Sequence, residues 1–326
     1  MLISSNIALR FVPYFLLMRI IVAELAAREM GVRRLAVVAA GLAWAVGIFA
    51  LSGTAVAGSD NDDPLSRKLV EMESRLGARI GAAILDTGTG RQWLYRSDER
   101  FPLNSTFKAF ACAGLLARVD AGKEDLGRAI VFKQSDLVTY SPITEKRVGG
   151  KGMTLFELCH AAMTLSDNTA ANLVLDSLGG PEGFTAFAGS IGDTETRLDR
   201  RETELNEAKP GDPRDTTTPA AAARSLHDLV LGDILSQSSR QQLKAWLVGN
   251  EVGGPLLRAS LPQGWQIGDR TGAGGYGSRS IIAVIWPPER KPVIAAIYLT
   301  GAQATMDERN ATIAEIGNAL VRTLSE

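Results

Sequence analysis

The sequence predicts an α/β (α+β) fold of two subdomains: a five-stranded antiparallel sheet flanked by terminal helices, with an all-helical subdomain inserted into it. Three observations predict this. Apolar, β-branched runs of strand length lie near both ends of the chain, the middle is rich in Ala and Leu at helical spacing, and a helical pattern precedes the first strands and follows the last. The sheet subdomain is expected at about 62–100 and 255–326, and the helical one at about 101–254.

In chain order, Leu65, Leu69, Met72 and Leu76 recur at the 3.6-residue period of a helix that begins at Pro64. Ile80 to Leu85 and Arg91 to Tyr95, joined by a Thr- and Gly-rich turn over 86–90, read as a hairpin. Trp265 to Thr271, Ser280 to Trp286 and Pro292 to Leu299 supply three further strands. Thr305 and Glu308 have capping-box spacing, and Ile313, Ile316, Leu320 and Leu324 then share one face of a final helix. Both terminal helices could cover one face of the sheet. A polar stretch from Arg197 to Pro219, containing Pro210, Gly211 and Pro213, interrupts the helical middle.

The N-terminus reads as an address. Arg33 and Arg34 precede an uncharged run, Leu35 to Leu51, and Ala55, Val56 and Ala57 then lead into a polar segment, the pattern of a secretory signal peptide cleaved after Ala57. The run is at the short edge of a membrane span, so an uncleaved anchor is the alternative. A signal starting at Met30 is complete without residues 1–29, and residues 1–57 are set aside from the fold. The expected mature domain, 58–326, is periplasmic or secreted. It keeps 30 basic against 34 acidic residues, because the leader removes five of the 35 Lys and Arg and two of the 36 Asp and Glu.

Composition narrows function. A nearly balanced charge leaves no electrostatic footprint for nucleic acid. His160 and His227 are the two histidines and Cys112 and Cys159 the two cysteines, too few for an ordinary His-rich zinc site; no metal or other cofactor is expected. In an oxidising compartment the cysteines are a candidate disulfide, with two separately buried thiols as the alternative. Any general base must be a lysine or a carboxylate.

Ser105 and Lys108 sit at the start of a helical pattern, three residues apart and hence on one face, with the hydroxyl at the positive end of the helix dipole. Burial would lower the lysine pKa and let it accept a proton from an attacking serine. Ser166, Asp167 and Asn168 follow at a helix boundary, and Asp269, Arg270, Thr271, Gly272 and Ala273 at a strand end, where glycine admits close backbone approach and Arg270 and Thr271 could grip a carboxylate. Separately each motif is weak. In this order and spacing, Ser-x-x-Lys, Ser-Asp-Asn and basic-Thr-Gly resemble the recognised motif set of the serine β-lactamases and penicillin-binding proteins, over about 65–324. The stretch from Val138 to Pro142 and Thr169 to Asn172 belong to the same likeness. The segment from Leu198 to Asn206, ending near Asp215, resembles the Ω-loop of class A β-lactamases. Chemically, Glu202 can take a proton from water that the Asn206 amide positions, and Arg200 and Asp215 can clamp the loop ends.

The resemblance implies a class A fold and roles residue by residue. Ser105 attacks the lactam carbonyl, and the backbone N–H groups of Ser105 and Ala273 form the oxyanion hole. Lys108, or Glu202 through water, takes the Ser105 proton, and Ser166 passes a proton to the lactam nitrogen. Glu202 with Asn206 drives deacylation. Asn168, Tyr140, Arg270, Thr271, Gly272 and Arg279 surround the substrate; Cys112 and Cys159 fall where some members carry a disulfide. Arg270 departs from the lysine of most members, and the stretch from Arg270 to Ser280 resembles the carbenicillin-hydrolysing subgroup. Asn104 and Gly274 stand where class A carbapenemases carry a cysteine pair, so strong carbapenem hydrolysis is not expected. The expected partner is a small β-lactam, handled by a monomer. A cell-wall DD-peptidase and a membrane-anchored penicillin sensor share Ser-x-x-Lys, but Glu202 and Asn206 argue for turnover.

Overall fold

A computed structural model describes residues 63–325. The signal-peptide reading lies outside these residues. Helix α1, Pro64–Leu76, starts where the Asp63 carboxylate accepts the Leu65 N–H and stops at Gly77, whose φ of 60° suits glycine. Strands β1 (Arg79–Asp86) and β2 (Gln92–Tyr95) follow as the expected antiparallel hairpin. Near the other end, β7 (Gln266–Ala273), β8 (Arg279–Trp286) and β9 (Val293–Thr300) complete a five-stranded sheet in the order β2-β1-β9-β8-β7, antiparallel throughout. The first and last parts of the chain meet at the β1–β9 ladder, Arg79 opposite Thr300 to Asp86 opposite Val293.

Alternate residues of the strands serve two cores. Ile80, Ala82, Ile84, Ile281, Ala283, Ile285, Ala295 and Ile297 pack with Leu65, Leu69 and Met72 of α1 and with Ile313, Ile316 and Leu320 of the final helix, Met306–Ser325. Ala83, Ile282, Val284, Ile294, Ala296 and Tyr298 belong to the second core with the inserted helices. Because both faces are covered, the central strands are apolar throughout rather than alternating with polar residues. The capping box expected at Thr305 is present: the Thr305 backbone N–H donates to Glu308 Oε2 and the Glu308 N–H to Thr305 Oγ1.

The chain enters the helical region through β3 (Phe101–Pro102), which pairs antiparallel as a clasp with β6 (Thr216–Thr217), the strand that precedes the last two helices of that region. A further short pair, β4 (Ala129–Ile130) with β5 (Met153–Thr154), closes the loop below the central helix α2, Phe107–Asp120. Every residue of α2 from Phe107 to Leu116 is buried, which is why its sequence is apolar all round with Ala and Gly interspersed. Around it stand α3 (Leu155–Thr164), α4 (Asn168–Leu178), α5 (Gly180–Ser190), α6 (Pro219–Val230) and α7 (Gln237–Val248); the final helix is α8. A disulfide joins Cys112 of α2 to Cys159 of α3, with the Cα atoms 5.8 Å apart. Among the described residues no helix is long and apolar enough to cross a membrane.

Candidate active site

Four segments converge between the edge strand β7 and the helical region. The first is the 3₁₀ turn Asn104–Thr106, which feeds into α2. Ser105 therefore stands in the turn just before the α-helix, and Lys108 in the helix's first turn, fully buried. The Lys108 Nζ donates to Asn168 Oδ1 (2.5 Å), the Ser166 carbonyl (2.9 Å) and Ser166 Oγ (3.2 Å), and forms an ion pair with Glu202 Oε1 at 3.0 Å. No hydrogen bond joins Lys108 directly to Ser105 among the described residues. Ser105 Oγ instead donates to Glu202 Oε1 at 3.4 Å and accepts from Ser166 Oγ at 3.3 Å. Burial pushes the Lys108 ammonium down to about 8; Glu202 pulls it up, and the charge of Arg270 pushes it down again.

The second segment links α3 to α4. Ser166 has a φ of 62°, which turns its hydroxyl toward Lys108, and the Asp167 side chain caps α4 by accepting the Ala170 N–H. Asp167 also accepts the N–H groups of Ile143 and Thr144, so the loop carrying Tyr140 is held against α4. Asn168 continues that tie: its N–H donates to the Tyr140 carbonyl and its Nδ2 to the Thr139 carbonyl. Its side chain is thus engaged on both ends. Tyr140 is half-exposed, at 53%.

The third segment is the loop from Arg200 to Asp215. Asp215, itself buried, accepts the N–H groups of Asp199 and Arg200 through Oδ1 and pairs with Arg200 Nε through Oδ2 at 2.6 Å. Glu202 is 2% exposed, and Asn206 Nδ2 donates to its Oε2 at 2.5 Å. The Asn206 Oδ1 is buried with no partner. Asn172 of α4, a residue with no role expected from the sequence, holds this loop: its Oδ1 accepts the Glu202 N–H and its Nδ2 donates to the Glu202 carbonyl. The signal was its spacing of four from Asn168 on a helix, which puts both amides on one face.

The fourth segment is β7. Arg270 is fully buried and its Nη2 donates to Ser166 Oγ, while its Nε and Nη1 have no partner. Burial pushes the Arg270 guanidinium down to about 10, with Asp269 and Glu202 pulling it up, so it stays a cation at neutral pH. Asp269, the residue before it, leaves the strand on the other face and is held by Arg258 (2.5 Å) and Asn250. Thr271 and Ala273 alternate with Arg270 and Gly272, so Thr271 shares the face of Arg279, not that of Arg270. Arg279 is 7% exposed; its Nη1 donates to the Gly272 carbonyl and its Nε to Asn310 Oδ1, so it also supports β7 from behind. A Cβ on Gly272 would stand 3.0 Å from the Ser105 backbone nitrogen, which shows how closely β7 approaches the turn that carries Ser105. Two cavities, of about 160 Å³ behind residues 208–216 and about 330 Å³ between β1, β2 and α6, do not reach Ser105.

A serine whose hydroxyl touches a carboxylate and a second serine, beside a buried amine and a strand edge of backbone N–H groups, is equipped for acyl transfer. The comparisons agree. Residues 64–324 match the family described as Beta-lactamase enzyme family. Beta-lactamase AER-1 of Aeromonas hydrophila is 55% identical over 253 residues, 78% of this chain and 83% of that protein. Beta-lactamase PSE-4 of Pseudomonas aeruginosa is 49% identical over 264 residues, 81% of this chain and 91% of that protein. Among solved structures, an ancestral class A β-lactamase superposes with a TM-score of 0.78 at 60% identity, covering 79% of this chain and 99% of the other.

Proposed function

The chain belongs to the beta-lactamase enzyme family as a class A serine hydrolase, and on that premise we propose that it opens penicillins through an ester on Ser105, which a water activated by Glu202 then hydrolyses. The observation that carries this reading is the position of Glu202, in contact with Ser105 through Oε1 and with Asn206 through Oε2.

Counting hydrogens sets the direction of proton flow. Three partners of Lys108 can only accept: the Ser166 carbonyl, Asn168 Oδ1 and the Glu202 carboxylate. All three N–H bonds of an ammonium are used, so Lys108 rests protonated and Glu202 is the group that takes the Ser105 proton. Arg270 donates into Ser166 Oγ, which at 3.2 Å also shares the Lys108 N–H aimed at the Ser166 carbonyl, so the Ser166 proton points at Ser105, where the lactam nitrogen leaves. In acylation the Ser105 Oγ–C bond forms and the lactam C–N bond breaks. The Ser105 proton passes to Glu202, the Ser166 proton to the lactam nitrogen, and the deficit on Ser166 is refilled from Lys108, which Glu202 reprotonates across 3.0 Å. That leaves Glu202 a carboxylate again, ready to take a proton from the hydrolytic water. The unpartnered Asn206 Oδ1 supplies the second acceptor that would orient this water. The N–H groups of Ser105 and Ala273 stabilise the oxyanion in both steps, each worth roughly 3 kcal/mol of barrier.

Lys108, Arg270 and Arg279 against Glu202 leave the site with excess positive charge, which suits penicillins carrying an additional α-carboxylate. Arg270, always charged and with two unpaired N–H groups, supports carbenicillin as a substrate. Comparable kcat/KM for carbenicillin and benzylpenicillin is the test; turnover of carbenicillin a hundredfold slower overturns this part. Export to the periplasm or medium after cleavage at Ala57 completes the proposal, supported by the leader pattern, and N-terminal sequencing of exported protein should begin at Gly58.

A further inference from the structure

The residue before the nucleophile has a role that neither the motifs nor the catalytic scheme assigns. Asn104 is fully buried and has a φ of 44°, in the left-handed region that asparagine tolerates better than most residues. Its Nδ2 donates 3.0 Å to Ser278 Oγ, in the turn between β7 and β8, and Ser278 is fully buried too. That turn is itself closed by Ser278 N–H to the Gly275 carbonyl and by Gly274 N–H to the Ser278 carbonyl, and Arg309 of α8 donates to the Ser278 carbonyl as well. The Asn104 side chain also lies under the strand. A Cβ on Gly272 would come within 2.9 Å of Asn104 Cβ, and one on Gly274 within 2.3 Å of Asn104 Oδ1. Gly272 and Gly274 are the two neighbours of Ala273.

Asn104 is therefore bonded through the chain to Ser105, whose N–H is one oxyanion donor, and packed against both neighbours of Ala273, whose N–H is the other. We propose that Asn104 is a positioning residue that sets the spacing of the two oxyanion donors by tethering the nucleophile's turn to the β7–β8 turn through Ser278. The inference rests on the acyl-transfer reading of the same site. It also bears on Gly274: a Cβ there would press on Asn104 Oδ1, which is buried without a partner, at 2.3 Å, and on the Asn206 carbonyl at 2.7 Å. A fixed pair of donors acts more strongly on the tetrahedral, charged transition state than on the planar ester or free substrate.

The test compares wild type, Asn104→Ala, Ser278→Ala and the double variant, each first checked for an unchanged thermal midpoint within a few degrees. Two quantities are read: kcat/KM for benzylpenicillin, and the Kd of phenylboronic acid, whose adduct with Ser105 presents a tetrahedral oxyanion mimic. The proposal expects each single substitution to lower kcat/KM and weaken boronate binding in parallel, by about tenfold, and the double variant to be no worse than the poorer single one, because both remove one tether. Losses that multiply in the double variant, or singles within twofold of wild type in both measurements, overturn it. If Asn104→Ala does not fold, Ser278→Ala alone decides, since it removes the partner and leaves the strained residue in place. A wild type that forms no Ser105 adduct at all defeats the underlying reading instead, and is distinguished by the mass of the unmodified protein.

Discussion

Lys108 Nζ lies 3.0 Å from Glu202 Oε1 with both side chains fully buried, the sole carboxylate within salt-bridge distance of the sole amine among the described residues of the site. The Glu202 carboxylate favours the charged form of Lys108, so loss of the Lys108 proton affects the whole relay.

The pH dependence follows from that pair. Lys108 is depressed to about 8 from an ordinary 10.5. Between these values the unfolded chain holds a proton that the folded chain lacks, so the contribution of Lys108 to stability rises as pH increases through that window. Activity moves the other way: kcat/KM for benzylpenicillin should be level from about pH 6 to 7.5 and decline above about 8 as the ammonium that refills Ser166 is lost. A rate profile that climbs through pH 8 would instead make neutral Lys108 the base in acylation.

Asp215 holds the loop that carries Glu202. Asp215→Ala removes two backbone hydrogen bonds and one of the two carboxylate partners of Arg200 at a buried site, which should cost about 3 kcal/mol of unfolding free energy in urea denaturation. Since the loop also loses its end clamp, deacylation should slow more than acylation, read by single-turnover kinetics.

Much of this could be read in the sequence because it is local. The runs from Ile80, Ser280 and Pro292 read as strands for the β-branched content of residues such as Ile281, Ile282 and Ile294; pairing extends one residue past the run at Arg79, Asp86, Arg279 and Thr300, and the last strand opens at Val293 rather than Pro292, which has no N–H to donate. Ser105, Lys108, Ser166 and Arg270, and the loop from Arg200 to Asp215, stood out because their order and spacing resemble the motifs of the serine β-lactamases and penicillin-binding proteins. What the sequence did not reveal depends on contacts between distant segments. The β1–β9 ladder, the clasp of Phe101 with Thr217, the grip of Asn172 on Glu202 and the tie of Asn104 to Ser278 all join residues 30 or more positions apart. Positive φ at Asn104, Tyr140 and Ser166 was likewise hidden, since tertiary contacts, not glycine, hold these residues there.

Arg270 separates substrates by charge. Arg270→Lys keeps a cation able to donate to Ser166 but loses the planar fork. We expect benzylpenicillin kcat/KM within about threefold of wild type and carbenicillin kcat/KM lowered about tenfold, a selective loss of about 0.7–1.4 kcal/mol. Equal losses on both drugs would return Arg270 to a purely structural role.

The disulfide between Cys112 and Cys159 spans 47 positions and joins the helix of Lys108 to the helix that leads into Ser166. Cys112→Ala with Cys159→Ala should lower unfolding free energy by about 2–4 kcal/mol. Activity at 25 °C should persist, because the site's hydrogen bonds come from other residues; rapid inactivation only at raised temperature is the expected signature.

The most direct measurement is the intact mass of residues 58–326 mixed with benzylpenicillin, followed from seconds to an hour beside the concentration of the drug. The account predicts a transient adduct on Ser105 in the wild type with continuing loss of drug, and in Glu202→Ala an adduct that forms slowly and persists, with turnover lowered about 10²- to 10⁴-fold. A wild-type adduct that forms stoichiometrically and never clears would contradict it, placing the protein with the penicillin-binding peptidases or sensors and removing Glu202 from deacylation.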